Sequence, residues 1–186
     1  MESLQLTTLR NLERNASTAI ARVIASDQSD AGKGAMFRLY HLTTREDSIR
    51  GLSELWAGWI GGRVNSAKRQ AYGLFATEKA LRLAKNCAES SHRTSFESAR
   101  PDNQEYAGAV LLRARIPDID QHSASFIIAT VSGLSAINDQ RTALLTIELM
   151  QWHLGDSIDQ VLAVIQDPEY LHVRDILPRR DGRIPL

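Results

Sequence analysis

Cysteine is almost missing from this chain: Cys87 is the only one in 186 residues. One thiol closes no internal disulfide and builds no cysteine-based zinc site, so both kinds of small scaffold are excluded. A reducing compartment is the expectation. An excess of one charge is missing too. Twenty-two basic residues balance 22 acidic ones, for a formal net charge of zero. There is no global electrostatic footprint for nucleic acid, although a local basic patch stays open. No apolar run approaches the ~20 residues that span a bilayer. Met1 to Leu6 lack a basic start followed by an apolar stretch, so no secretory leader is expected. The expected location is the cytoplasm, or a host or rival cell reached through a specialised secretion system. Standard catalytic signatures are absent as well: no G-x-S-x-G, no H-E-x-x-H, no G-x-G-x-x-G and no kinase set. Gly32-Lys33-Gly34 fails as a phosphate loop, because Asp27 stands at the first glycine position and Gly34 at the Ser/Thr position. The five histidines, at 41, 92, 122, 153 and 172, do not cluster, so no metal site is expected.

What is present is ordinary for a globular protein: 43% hydrophobic and 24% charged residues. That apolar content excludes a mainly disordered chain. The length suits one domain, or one domain with a helical appendage. Leu9, Leu12, Ala16, Ala19, Ile20 and Val23 recur at helical spacing and predict an amphipathic helix over 4–25. Packing on the main domain is its simplest use; a partner-binding helix is the sharper alternative. Residues 27–35 are rich in turn formers and read as a linker. A strand is predicted over 36–43, and Thr44 caps a helix carrying Ile49, Leu52, Leu55, Trp56 and Trp59, stopped by Gly61-Gly62. Residues 63–70 read as a polar loop, 72–77 as a strand, and the next stretch as a helix with Ala80, Leu81, Ala84, Cys87 and Ala88 on one side. A polar loop follows over 89–105, long enough to suggest a role in target contact. Strands are predicted over 106–116 and 125–131, helices over 141–154 and 157–166, and a last strand over 169–176. Strands and helices mix without regular alternation, which predicts an α+β fold. Two units are expected: an N-terminal helix and linker, 1–34, and a main domain, 35–186.

Candidate chemistry sits in three short segments: Tyr40-His41-Leu42-Thr43 at a strand end, Gly73-Leu74-Phe75-Ala76-Thr77-Glu78, and Asp167-Pro168-Glu169 before the last predicted strand. Their order resembles the ADP-ribosyltransferase superfamily, especially its H-Y-E branch. Leu42 stands where that branch has Gly, and Phe75 where it has Tyr. The resemblance implies a split β-sheet core and NAD as substrate, with no metal. It assigns His41 to a ribose hydroxyl, the Leu42 backbone to the carboxamide and Thr43 to the adenosine-side ribose. Phe75 would stack on nicotinamide, with Tyr72 on the other side. Glu169 would stabilise the oxocarbenium-like sugar and orient its 2′-hydroxyl, and Asp167 would orient the nucleophile. Gly61-Gly62-Arg63-Val64-Asn65 is also similar to a segment of RES-type NAD-degrading toxins. That likeness implies Arg38 or Arg63 as the base-bearing contact to the dinucleotide, with Tyr40 beside it. The implied function is a toxin- or effector-like NAD-dependent mono-ADP-ribosyltransferase acting on a protein or nucleic acid. Three other readings stay open: an NAD-hydrolysing toxin using the same site, a non-catalytic ADP-ribosyltransferase-like binding protein, and a helical interaction module built on 4–25 and 141–166.

Overall fold

The computed structural model describes residues 2–45, 48–90, 93–113, 123–150 and 167–176. The elements run α1 (Glu2–Ser26), β1 (Gly34–Arg45), β2 (Ser48–Gly61), α2 (Ser66–Ser90), β3 (Ala109–Arg113), β4 (Ser123–Ser132), α3 (Ala136–Leu149) and α4 (Tyr170–Asp175). Single 3₁₀ turns lie at Gln28–Asp30, Ser95–Ser98 and Pro101–Asn103. The four strands form one sheet in the order β2-β1-β4-β3, each pair antiparallel. The fold is therefore α+β, as the mixed pattern predicts.

Alternation along β1 divides the core in two. Phe37 and Leu39 point to the side of α1 and α3, where they join Leu12, Ala16, Ala19, Ile20 and Val23 of α1 and Ala143, Leu144 and Ile147 of α3. Tyr40 and Leu42 point to the opposite side and meet Ala80, Leu83 and Ala84 of α2. The apolar stripe of α1 is thus buried against the sheet and α3. From Leu12 to Val23 the helix shares one core with the sheet, which is the packing expected as its simplest use. Residues 27–35 are not a free linker: Asp30 is fully buried and accepts from Ser135 N (2.9 Å), Asn138 Nδ2 (2.8 Å) and Lys33 Nζ (2.7 Å), tying the start of β1 to the start of α3.

Three predicted elements are overturned. Residues 48–61 are a strand, not a helix. The pairing slips between Leu39 and Tyr40, which leaves Leu55 as an extra residue in β2. Leu52 and Trp59 then face α2 while Leu55 and Trp56 both face α1. A bulge of this kind counterfeits the i, i+3, i+4, i+7 spacing of a helix. Residues 63–77, read as a loop and a strand, form instead the turn into α2 and its first half. Gly73 interrupted the helical pattern, since glycine costs ~1 kcal/mol against alanine there. It has a packing reason: a Cβ at 73 would lie 3.3 Å from Arg38 Nη2. Residues 170–175 are helical, with Tyr170 and Val173 buried three apart. The predicted helix 157–166 and the later part of 141–154 lie outside the described residues.

Candidate functional site

The residues singled out in the sequence do not share one cleft. His41 projects to the α1/α3 side of β1, where Nε2 contacts Ser125 Oγ, and burial pushes its pKa below 6.5. Thr43 is on the same side and its hydroxyl donates to Gly51 O at 3.5 Å. Leu42 is fully buried toward α2, and β1 is a central strand paired on both edges. The Leu42 backbone is therefore held in the sheet ladder, away from any carboxamide. Phe75 lies on α2, across the sheet from His41, packed edge-on against Tyr106 at 5.3 Å between ring centroids. Glu169 caps α4. Its carboxylate accepts from Arg141 Nη2 at 2.9 Å with its side chain 74% exposed. Asp167 is only 2% exposed and is gripped by Arg141 through Nε (2.5 Å) and Nη2 (2.7 Å). Arg141 also donates to Asn138, which reaches Asp27 and Asp30 before β1. Glu169 therefore sits by the beginning of β1. His41, seven residues beyond Gly34, is about 23 Å along that strand. The last acidic pair serves as a structural clamp on α3.

A different set does converge, on the α2 side of β1 and β2. Arg38 and Tyr40 are two apart on β1 and so share a face. Arg38 Nη1 pairs with Glu54 Oε2 from β2. The Tyr40 hydroxyl donates to Thr77 Oγ1 at 3.3 Å, and Thr77 in turn donates to Gly73 O at 3.0 Å. Arg38 Nε is buried without a partner, and so is Oγ1 of Thr130, the β4 residue opposite Arg38 in register. Burial works against the charge on Arg38. Bonding to Tyr40 and the Glu54 carboxylate more than offset it, and its pKa stays above the ordinary arginine value. The pair is still reachable: the Arg38 side chain is 25% exposed and that of Glu54 40%. At the rim, Trp59 stacks on Tyr72 with centroids 6.0 Å apart and planes at 20°. Arg69 lies 5.6 Å from the Trp59 ring, within cation–π range. Arg63 is exposed in the turn between β2 and α2.

Chemically, this patch offers a permanent cation with an unmet donor, a reachable carboxylate, hydroxyls and a flat aromatic surface. Arg38, Tyr40 and Tyr72 were legible in the sequence. Glu54, Thr77 and Thr130 were not, because the helical reading of 48–60 turned Glu54 away from β1. Among the described residues no cluster of His, Cys, Asp and Glu could hold a metal ion, and no helix is long and apolar enough to cross a membrane. No family model, no curated protein and no solved structure matches the chain.

Proposed function

We propose that the chain consumes NAD, and that the dinucleotide is held at Arg38, Tyr40 and Glu54. One observation carries the reading: a charged guanidinium with a buried, unpartnered Nε stands beside a reachable carboxylate, on the sheet face whose rim is a stacked aromatic pair. Each part answers a chemical need of NAD. A guanidinium suits the pyrophosphate, with planar geometry and permanent charge. A carboxylate near the nicotinamide ribose holds the 2′-hydroxyl and stabilises positive charge as the glycosidic bond breaks. An aromatic face accepts a flat ring. Glu54 takes here the role that the sequence resemblance gave to Glu169. The C1′–N bond breaks, nicotinamide leaves with the bonding pair, and the ADP-ribosyl group passes to a nucleophile on a macromolecular target. Kinship to the ADP-ribosyltransferase superfamily, with its split-sheet core, belongs to this proposal. It rests on the order of Tyr40-His41-Leu42-Thr43, Gly73-Leu74-Phe75-Ala76-Thr77-Glu78 and Asp167-Pro168-Glu169 in the sequence, and the likeness to RES-type NAD-degrading toxins on Gly61-Gly62-Arg63-Val64-Asn65.

A second reading has water as the acceptor. Its support is Asp167, the side chain expected to orient the nucleophile, which is locked onto Arg141. One experiment separates the two. The protein is incubated with NAD labelled in the adenylate half, with and without a cell lysate, and products are resolved by chromatography and gel. Label on a macromolecule supports transfer, and free ADP-ribose with nicotinamide supports hydrolysis. Either activity should fall at least a hundredfold in Glu54→Gln with the melting temperature unchanged. Inert protein that also shows no heat of NAD binding refutes the proposal.

A further inference from the structure

The outer face of α2 carries a feature that the NAD reading does not use. Leu74 and Leu81 are 66% and 56% exposed. Seven residues apart, they lie on one stripe of the helix, about 10 Å apart along its axis. Beside them runs the 93–106 segment, folded into two 3₁₀ turns and fastened by Arg82. That guanidinium donates to Glu78 Oε1 (2.6 Å), Ser98 Oγ (2.9 Å), Ser95 O (3.1 Å) and Tyr106 O (2.5 Å). Between helix and segment lies an open cavity of about 680 Å³, with Leu74, Leu81, Lys85, Ser98, Arg100 and Glu105 among its lining. Phe96, 50% exposed, and Tyr106, 37% exposed, stand on the same segment. A single exposed leucine needs no explanation. Two exposed leucines on one stripe, lining one cavity, with Phe96 and Tyr106 exposed on the neighbouring segment, do.

We infer that this groove docks an acidic, leucine-bearing helix of a partner protein. Charge selects the partner. Glu78 is already committed to Arg82, whereas Lys85 and Arg100 have no ion-pair partner among the described residues. With Glu105, also without an ion-pair partner among the described residues, the lining carries two cations against one carboxylate, a net positive margin on an apolar stripe that favours carboxylates over basic segments. Geometry selects a helix. Leu74 and Leu81 repeat at the two-turn interval at which a second helix, laid along α2, presents its own apolar side chains. An extended strand would need a free sheet edge here. On this side β3 is already covered, with Leu111 N bonded to Arg93 O at 2.8 Å and Thr94 bridged to Val110. At the far side of the sheet β2 is interrupted by extra residues at Arg50 and Leu55, a device that discourages strand addition.

The test uses the full chain and a fluorescently labelled helical peptide, with leucines seven apart and glutamates on the flanks of that stripe. A second peptide has lysines in place of the glutamates. Anisotropy should show the acidic peptide binding at least tenfold tighter than the basic one, and the difference should shrink at high salt. Leu81→Ser should weaken binding at least tenfold without moving the melting temperature, since the side chain is exposed. The double variant Lys85→Glu/Arg100→Glu should reverse the preference between the peptides. Equal binding of both peptides, or binding indifferent to Leu81→Ser, overturns the inference. So does a concentration-dependent mass of the protein alone that Leu81→Ser abolishes, because the groove then belongs to a second copy of this chain.

Discussion

Gly73 ties stability and ligand binding to a single missing methyl group, so Gly73→Ala is the most informative single change. Two terms decide its effect on folding. Alanine in a helix interior is better than glycine by about 0.8–1 kcal/mol, because glycine gives up more backbone freedom. Against this, the new Cβ would stand 3.3 Å from Arg38 Nη2 and 3.9 Å from Met36 Cε. The second contact is ordinary. The first asks the end of a long, partly exposed side chain to shift by a few tenths of an ångström, a cost of about 0.5 kcal/mol if χ angles leave their wells slightly. Helix propensity wins, and the variant should be more stable by about 0.5 kcal/mol. For a chain of this length that raises the melting temperature by roughly 1–2 °C. The same shift disturbs the Arg38–Glu54 pair, so NAD should bind several-fold more weakly. Urea unfolding measures the first quantity and titration calorimetry the second. A loss of more than ~1 kcal/mol would mean that Arg38 is wedged and cannot yield. A more stable variant that binds NAD like the wild type would mean that the guanidinium at this position takes no part in holding the ligand.

Two further outcomes follow from buried groups. Lys79 and Asp139 form an ion pair with side chains 1% and 4% exposed, and Lys79 Nζ also donates to Val131 O at 2.6 Å. Burial pushes the Asp139 carboxyl up despite the ammonium beside it, so Lys79→Met should cost about 3–5 kcal/mol in urea unfolding; adding Asp139→Leu should return only part of it, because Leu134 N, which donates to Asp139 Oδ1 at 2.9 Å, then loses its acceptor; a single variant costing under ~1 kcal/mol contradicts this. Among the described residues His41 is a pH-sensitive group. Its folded pKa is lowered by burial, so the unfolded chain takes up the proton first, and stability is lost as pH falls through about 6.5. His41→Gln, which keeps a polar nitrogen near Ser125 Oγ, should flatten stability between pH 5 and 7.5; an unchanged pH dependence would place the titrating group elsewhere.

Much of the fold was legible because it is written in local periodicity. Leu12, Ala16, Ala19, Ile20 and Val23 have a helical period, and they are the face that α1 buries. The alternation Phe37, Leu39 against Tyr40, Leu42 is the division of the two cores. The failures share one cause: a long-range contact changed the meaning of a local signal. In β2 the slip opposite Leu39 and Tyr40 adds Leu55 to the face of Trp56, and no window of sequence shows the partner strand that permits it. In α2 the segment Tyr72-Gly-Leu-Phe looks extended, because the close approach of β1 that makes Gly73 useful is invisible in one dimension. At Tyr170 to Asp175 the apparent alternation is overruled by Tyr170 and Val173, which reach the core together only in a helix.

The candidate site follows the same logic. Arg38 and Tyr40 were readable as a pair, since two residues apart on a strand means one face. Their carboxylate partner was not, because Glu54 joins that face only through the strand pairing that places it against Tyr40. The acids that did look catalytic, Asp167 and Glu169, lie beside an arginine that α3 carries from 26 and 28 residues upstream. Asp167, 2% exposed and held by two bonds from a buried guanidinium, is stabilised as an ion and closed to a sugar. A carboxylate that shares its arginine with solvent, as Glu54 does, keeps a lone pair free for a hydroxyl. Exposure sets Glu54 apart from Asp167 but not from Glu169, whose side chain is 74% exposed; what distinguishes Glu54 from Glu169 is its place on the sheet face that carries Arg38 and Tyr40. The comparison can be measured: Asp167→Asn should destabilise the chain strongly, whereas Glu54→Gln should leave the unfolding midpoint in place and act only on the ligand.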